Sequence, residues 1–190
     1  MNKEDFFIKQ FKSKKNKIIG DDGAVIGKYV YSMDAFFENV HFKREWTSLK
    51  QIAQKAMLIN ISDANVMNAI PKYALLSVAI PKNYTEDDLK NLASGFKSIA
   101  KKFAITIIGG DTISNEKLDI SVTIISTTKN AIMRTGTKKG NLVAHTGNLG
   151  SSKVDLEKLL NKKKVSKKSK FLKPKLKPEF FYEVSKYVNS

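Results

Sequence analysis

Residues 48–67 must fold as a helix that buries a face bearing an amide and a carboxylate, and no other stretch limits the chain so sharply. Ser48-Leu49-Lys50-Gln51 carries a capping-box signature, and Pro71 follows the end of the pattern near Met67. At about 100° per residue, Leu49, Ile52, Ala53, Ala56, Met57, Ala64 and Met67 share one side. Asn60 and Asp63 fall on that same apolar side. A carboxylate there costs several kcal/mol unless it is paired, hydrogen-bonded or bound to a metal. The helix alone leaves two readings open: a structural aspartate satisfied by backbone or by Asn60, or a functional one.

The surrounding pattern defines the fold class. Ala24–Ile26 and Tyr29–Met33 read as strands, and Tyr73–Ile80 as a strongly apolar one. Ile105–Ile108 reads as a buried strand ending at Gly109-Gly110, and Leu118–Ser126 as another. Thr85 caps a second long helix to about Phe103, with Glu86, Asp87 and Asp88 in the first turn, where the helix dipole favours acids. Shorter helices are expected at 4–12, with Phe6, Phe7 and Phe11 on one side, at 151–160 and at 179–188. Strands and two long helices intermix, so the expected class is α/β or α+β, a mixed sheet packed by two long helices. Composition shifts near residues 128–141. The expected division is a first domain at 1–135 and a second region at 136–190; what each would bind, and whether the second is complete, composition leaves open.

Composition removes several function classes. With no Cys there is no disulfide framework, thiolate metal site or Cys nucleophile. Two His, His41 and His145, do not make a His-rich zinc site. No apolar run reaches the ~18 residues that span a bilayer. Met1-Asn2-Lys3-Glu4-Asp5 lacks the apolar stretch of a signal peptide, so a soluble cytoplasmic protein with no membrane partner is expected. The formal charge is +16, from 34 Lys+Arg against 18 Asp+Glu. Its densest stretch runs from Lys162 to Lys170. A nucleic-acid interface is weighed and set aside. Arg44 and Arg134 are the only arginines, and arginine is the usual reader of bases. No aromatic residue interleaves with the lysines, which leaves a solvated loop as the plainer reading.

Three further acids stand at element ends. Asp22 lies in Gly20-Asp21-Asp22-Gly23, Asp34 follows the strand that contains Ser32, and Asp111 follows Gly109-Gly110. Singly, each is an ordinary turn former. Together with Asp63 they can converge on one site. Oxygen ligands without a thiolate suit Mg²⁺, which commonly bridges to phosphates. The glycines at 109 and 110 would let backbone N–H groups approach such phosphates. Neither a P-loop nor a kinase His-Arg-Asp is present, so the common nucleotide folds are not supported.

Six short segments then fall in a telling order. They begin with Ile19-Gly20-Asp21-Asp22-Gly23-Ala24-Val25, then Ser32-Met33-Asp34 with Val40-His41-Phe42 beyond it. Asn60-Ile61-Ser62-Asp63 comes next, followed by Met67-Asn68-Ala69-Ile70-Pro71. Ile107-Ile108-Gly109-Gly110-Asp111-Thr112, Arg134-Thr135-Gly136 and Thr146-Gly147-Asn148-Leu149-Gly150-Ser151 complete the series. This order resembles the thiamine-monophosphate kinase family, of the aminoimidazole-ribonucleotide-synthetase-like superfamily. The resemblance implies ATP-dependent phosphorylation of thiamine monophosphate to thiamine diphosphate, by direct Mg²⁺-assisted transfer with no covalent nucleophile. It implies metal ligation by Asp22, Ser32, Met33 (through its carbonyl), Asp34, Asp63 and Asp111. It places Gly110, Asp111 and Arg134 at ATP and His41 at the substrate, and leaves His145 structural. It also implies a homodimer through the sheet of the first domain, for which Tyr73–Ile80 and Leu118–Ser126 are apolar enough. The alternatives are another ATP-using enzyme of the superfamily, of the purine or selenophosphate synthetase type, or a noncatalytic dimerising remnant.

The chain departs from the family pattern in several places. Met33 stands where the family usually has Thr, and Asn39 and Asn68 stand where glycines are expected. Asparagine is the next-best residue for a left-handed backbone, so both of those changes are mild. Lys153 and Asp155 stand where small residues and a Gly are usual, and Pro174-Lys175-Leu176-Lys177 replaces a Pro-x-Pro-Arg segment. The family continues into a second domain with an Asp-x-Ser-Asp-Gly-Leu motif, just beyond Ser190. The expectation is therefore weak Mg-nucleotide binding and poor turnover by these 190 residues, with a compact 1–130. Apolar residues in 141–160 and 171–188 are expected to be poorly packed.

Overall fold

The computed structural model describes residues 1–13, 16, 18–166 and 168–190. The elements are α1 (Lys3–Lys9), β1 (Ala24–Ile26), β2 (Tyr29–Phe37), α2 (Leu49–Val66), β3 (Ile70–Pro81), α3 (Glu86–Lys102), β4 (Thr106–Asn115), β5 (Asp119–Thr127), α4 (Ser151–Leu160) and α5 (Pro178–Val184). Both long helices start as their sequences dictate. The Ser48 hydroxyl accepts the Gln51 N–H at 3.3 Å, and Gln51 reaches back to the Ser48 N–H. Thr85 and Asp88 form the same reciprocal cap on α3.

Five strands form one mixed sheet in the order β1-β2-β5-β3-β4. β5 lies antiparallel between β2 and β3, so β2 and β3 run the same way. α2 carries the chain between them. β3 and β4 are parallel, joined through α3. Both helices cover one face. Val30, Ile120, Val122 and Ile124 meet Ile52, Ala56, Met57, Ile61 and Phe96 in a single core. β5 alternates strictly between buried and half-buried residues, as a central strand with two unlike faces must. The opposite face leaves Met33, Tyr73 and Leu75 exposed.

One difference from the sequence reading has a clear cause. The Gly109-Gly110 pair does not end β4. Both glycines adopt positive φ, 150° and 147°, and the strand continues to Asn115. Ala74 pairs Ile107 while Leu75 pairs Gly109, so Ile108 is the extra residue of a bulge. β4 is also largely exposed where burial was expected, because it is the sheet edge. β2 similarly runs four residues beyond Met33, held by β5 along its whole length. Asn39 and Asn68 adopt left-handed φ of 66° and 55°, as glycine substitutes should.

α3 crosses α2 at Gly95. A Cβ there would overlap the Lys50 carbonyl oxygen and stand 2.7 Å from the Ala53 Cβ. Gly95→Ala must push the helices apart and is expected to cost about 1–3 kcal/mol. An unchanged melting temperature in that variant would contradict so close a crossing.

The last sixty residues divide. Leu142 and Val143 are almost fully exposed, in keeping with the expectation of poor packing. Others are anchored on the sheet-and-helix unit: Leu159 is buried, Phe171 meets Trp46 edge-on, and the Tyr182 hydroxyl sits 2.9 Å from both Asn65 Oδ1 and the Ala69 carbonyl. Of the Lys162–Lys170 run, Lys167 lies outside the described residues; the other lysines are exposed. Among the described residues, no helix is long and apolar enough to cross a membrane.

Candidate functional site

The two polar residues on the buried face of α2 have different tasks. Asn60 is fully buried, its amide donating to the Ala56 carbonyl at 3.1 Å and accepting the Asp34 N–H at 2.7 Å. The Ser32 hydroxyl donates to the Asn60 carbonyl at 3.3 Å. Asn60 therefore clamps α2 to β2 with its polar atoms satisfied inside the core. It does not serve Asp63. What the clamp does is place Asp34, on the helix-facing side of β2, against Asp63 one turn further along α2.

These two carboxyl groups perturb each other, and both are pushed above the ordinary carboxylate range. Burial, followed by the charges of Asp34 and Asp22, pushes Asp63 from its ordinary 3.8 up to about 7. Asp34 is also raised, chiefly by burial, with Asp22 adding to the shift and His41 opposing it. Asp22 comes from the turn before β1 and is mostly buried. It is ion-paired to the guanidinium of Arg134, whose backbone N–H donates to Asp21 Oδ2 at 2.9 Å. Three carboxylates from three elements thus crowd together with one arginine at their edge. Such crowding favours positive charge, which the Arg134 guanidinium supplies beside Asp22.

The donor set fits Mg²⁺ in chemistry: oxygen only, no thiolate. Among the described residues, no three acidic or imidazole groups already close on one point as a metal cage. Mg²⁺ does not require one, since it is usually held by one or two carboxylates plus phosphate oxygens and water.

The other expected site residues fall in different places. Ser32 is buried and its hydroxyl is engaged by Asn60, while the Met33 side chain is exposed on the opposite sheet face. His41 lies beyond β2, where its Nδ1 accepts the Phe37 N–H at 2.9 Å. The neutral ring must then carry its proton on Nε2, which makes it a donor. Asp111 stands apart. Asp34, Val122, Leu76 and Gly110 form one row across four strands, which spans about 14 Å at the usual strand spacing. Asp111 pairs Ser77, one residue on, and so occupies the face away from the helices. The expected convergence of four carboxylates is therefore three within one chain. Gly110 has a structural duty: a Cβ there would overlap the Leu76 backbone. His145 is exposed.

Two residues near this cluster escaped the sequence reading. Asp21 fixes the Arg134 backbone, a contact between residues more than a hundred apart. Lys55 is half-buried among aromatic rings beside His41. On α2 it lies two turns before Asp63, at the flank of the buried face, and only that placement could have signalled it.

A mixed sheet with helices on one face, three carboxylates at a helix–strand junction and an arginine closing the cluster defines the class. Residues 20–128 match the family described as AIR synthase related protein, N-terminal domain, and the chain belongs to that family. More particularly, it is similar to the thiamine-monophosphate kinase of Bacillus subtilis (strain 168), 37% identical over 150 residues that make up 75% of this chain and 46% of that protein. The crystal structure of thiamine monophosphate kinase from Aquifex aeolicus superposes with a TM-score of 0.87 at 26% identity, covering 98% of this chain and 64% of that one. AaThiL complexed with AMPPCP and TMP gives a TM-score of 0.87 at 27% identity, covering 98% and 62%. The chain spans roughly half the length of the curated relatives it matches, from 46% to 61% for the first two.

Proposed function

We infer that this chain carries the N-terminal, metal- and nucleotide-binding part of an ATP-dependent kinase that phosphorylates thiamine monophosphate to thiamine diphosphate. The observation that carries this reading is the crowding of Asp34 and Asp63 beside Asp22, which pushes both carboxyl groups up, with Arg134 as a removable counter-charge. Bound Mg²⁺ would neutralise the phosphates and hold them in line. Asp22, Asp34 and Asp63 are the side chains that would hold it, once the proton leaves Asp63. Arg134, released from Asp22, is then free to pair with nucleotide phosphate, and it is already two-thirds exposed for that purpose. His41 directs its Nε2–H towards the acceptor substrate. In the reaction a phosphate oxygen of thiamine monophosphate attacks the terminal phosphorus of ATP. The bond to ADP breaks as the new P–O–P bond forms, and no side chain is phosphorylated. Gly110 and Asp111 enter this reading as nucleotide contacts by resemblance. The exposed sheet face around Met33, Tyr73 and Leu75 supports pairing of two copies. The first domain ends near residue 135 on this reading.

The test is thermal melting of the chain with AMPPCP, with and without Mg²⁺. Ligand at a hundred times its dissociation constant stabilises the folded form by about 2.7 kcal/mol. A rise that needs Mg²⁺ is expected, enlarged by thiamine monophosphate. No shift at saturating AMPPCP and Mg²⁺ would overturn the reading.

A further inference from the structure

Residues 158–177 carry ten lysines and no acid. Every lysine of this stretch that the structure describes is exposed. Among the described residues, the one ion pair any of them makes is Lys158 with Asp155, at 4.0 Å. The C-terminal dipole of α4 favours the lysines nearest to Leu160, but it fades beyond the last turn. The later lysines are held in place by their neighbours. Leu172, Pro174 and Leu176 are half-buried, Leu176 against the core, while Lys173, Lys175 and Lys177 between and after them face water. So much like charge on an anchored segment repels itself, and an anionic partner relieves it. The run also closes a cavity of about 410 Å³ at the start of α2. Lys162, Lys163 and Lys164 line it together with Trp46, Gln51 and Leu172. Trp46 arrives from more than a hundred residues earlier and supplies the aromatic ring that the lysine run itself lacks. Gln51 Oε1 accepts from Thr47 at 2.6 Å and from Ser48 at 3.1 Å, which leaves its amide N–H groups to donate. Glu45 is the one acid in the lining.

We propose that this cavity and the lysines flanking it form a binding surface for single-stranded nucleic acid, with a base stacked on Trp46 and the backbone phosphates drawn along the lysines. Clustered ammonium groups suit a phosphate backbone, and an aromatic wall among them suits a base, which stacks on a ring whatever its identity. Lysine meets phosphate as a point charge and does not fork onto base edges as arginine does. With Arg44 and Arg134 as the only arginines, binding should tolerate any sequence. A duplex keeps its bases inside the stack and has none to offer Trp46. An anionic bilayer would need apolar side chains standing out among the lysines, whereas Leu172, Pro174 and Leu176 turn inward. The surface also stands apart from the carboxylate cluster. Gln51 lies twelve residues before Asp63 on α2, about 18 Å along the helix axis. The proposal therefore goes beyond the kinase reading and does not depend on it.

Trp46 is the single tryptophan of the chain and lines the cavity, so a base stacked on it is read directly as quenching of its emission. The full chain is titrated with a short single-stranded oligothymidylate in EDTA, at about 50 and about 200 mM salt. Saturable quenching is expected. Neutralising four phosphates would weaken binding roughly fiftyfold between those two conditions. The double variant Lys163→Gln, Lys164→Gln should lose roughly tenfold or more in affinity at the lower salt. Lys97→Gln, Lys101→Gln removes the same charge from exposed positions on α3 and should stay close to wild type. All four lysines are exposed, so both double variants should keep the wild-type melting temperature. Absence of quenching, equal losses in the two double variants, equal affinity for a duplex, or binding to phosphatidylserine vesicles that the strand does not displace would overturn the proposal.

Discussion

Asp63→Asn is expected to raise the melting temperature of the metal-free chain at pH 8 and to abolish its response to Mg²⁺. Burial and the neighbouring charges of Asp34 and Asp22 make ionised Asp63 costly in the folded chain. Asp63 titrates near 7 in the folded chain and near 3.8 when unfolded. Between those values the folded state holds a proton that the unfolded state has released, so stability falls as pH rises through that window. Above about pH 7 the folded chain confines three ionised carboxylates with Arg134 as their one neighbouring cation. A shift of three pKa units corresponds to about 4 kcal/mol in full, and to roughly 2 kcal/mol once solvent screening of a half-exposed group is allowed for. Asparagine keeps the shape of the protonated carboxyl and cannot ionise. Its gain should therefore be several degrees at pH 8 and nothing at pH 4. Mg²⁺ should stabilise the wild type at pH 8 and leave Asp63→Asn unmoved. A variant less stable than wild type at pH 8, or one still stabilised by Mg²⁺, would show that Asp63 is a structural aspartate after all.

Gly110→Ala should detach β4 from the sheet. Its added Cβ would overlap the Leu76 carbonyl, and the flanking Leu76 backbone atoms stand 2.6 and 2.7 Å away. These are backbone atoms of a hydrogen-bonded strand, so no rotamer change relieves the clash. The φ of 147° adds strain for any residue with a Cβ. The cost should reach about 3 kcal/mol or more, at the upper end of overpacking effects. Hydrogen exchange should show lost protection from Thr106 to Asn115 and retained protection in β2 and β5. Wild-type stability in this variant would mean that the bulge can reorganise. The variant also tests the family assignment of Gly110 to nucleotide. Any loss of AMPPCP binding has to be read against loss of the strand.

The sequence by itself determined most of the local structure. Capping residues at Ser48 and Thr85, helical spacing of apolar residues and the apolar run Leu118–Ser126 are short-range signals, and the structure follows them closely. It also determined that Asp63 sits on a buried face, because helical periodicity requires no knowledge of neighbours. The order of short motifs made the family legible, and the match over 20–128 agrees.

Only the tertiary structure decided which acids meet. Asp34 reaches Asp63 because Asn60 binds the Asp34 backbone across 26 residues, a contact that no local pattern encodes. Asp111 looked equivalent in sequence, yet strand order separates it from the cluster and strand parity turns it to the other face. The glycine pair read as a strand end became a bulge, since φ near 150° is open to glycine alone and β3 holds the strand on both sides of it. Nothing in the sequence singled out Lys55; its setting was decided by Phe171, more than a hundred residues later, whose ring centre lies 3.7 Å from the ammonium. Helices and strands arise from contacts a few residues apart, whereas the charge and burial around each carboxylate depend on partners brought from across the chain.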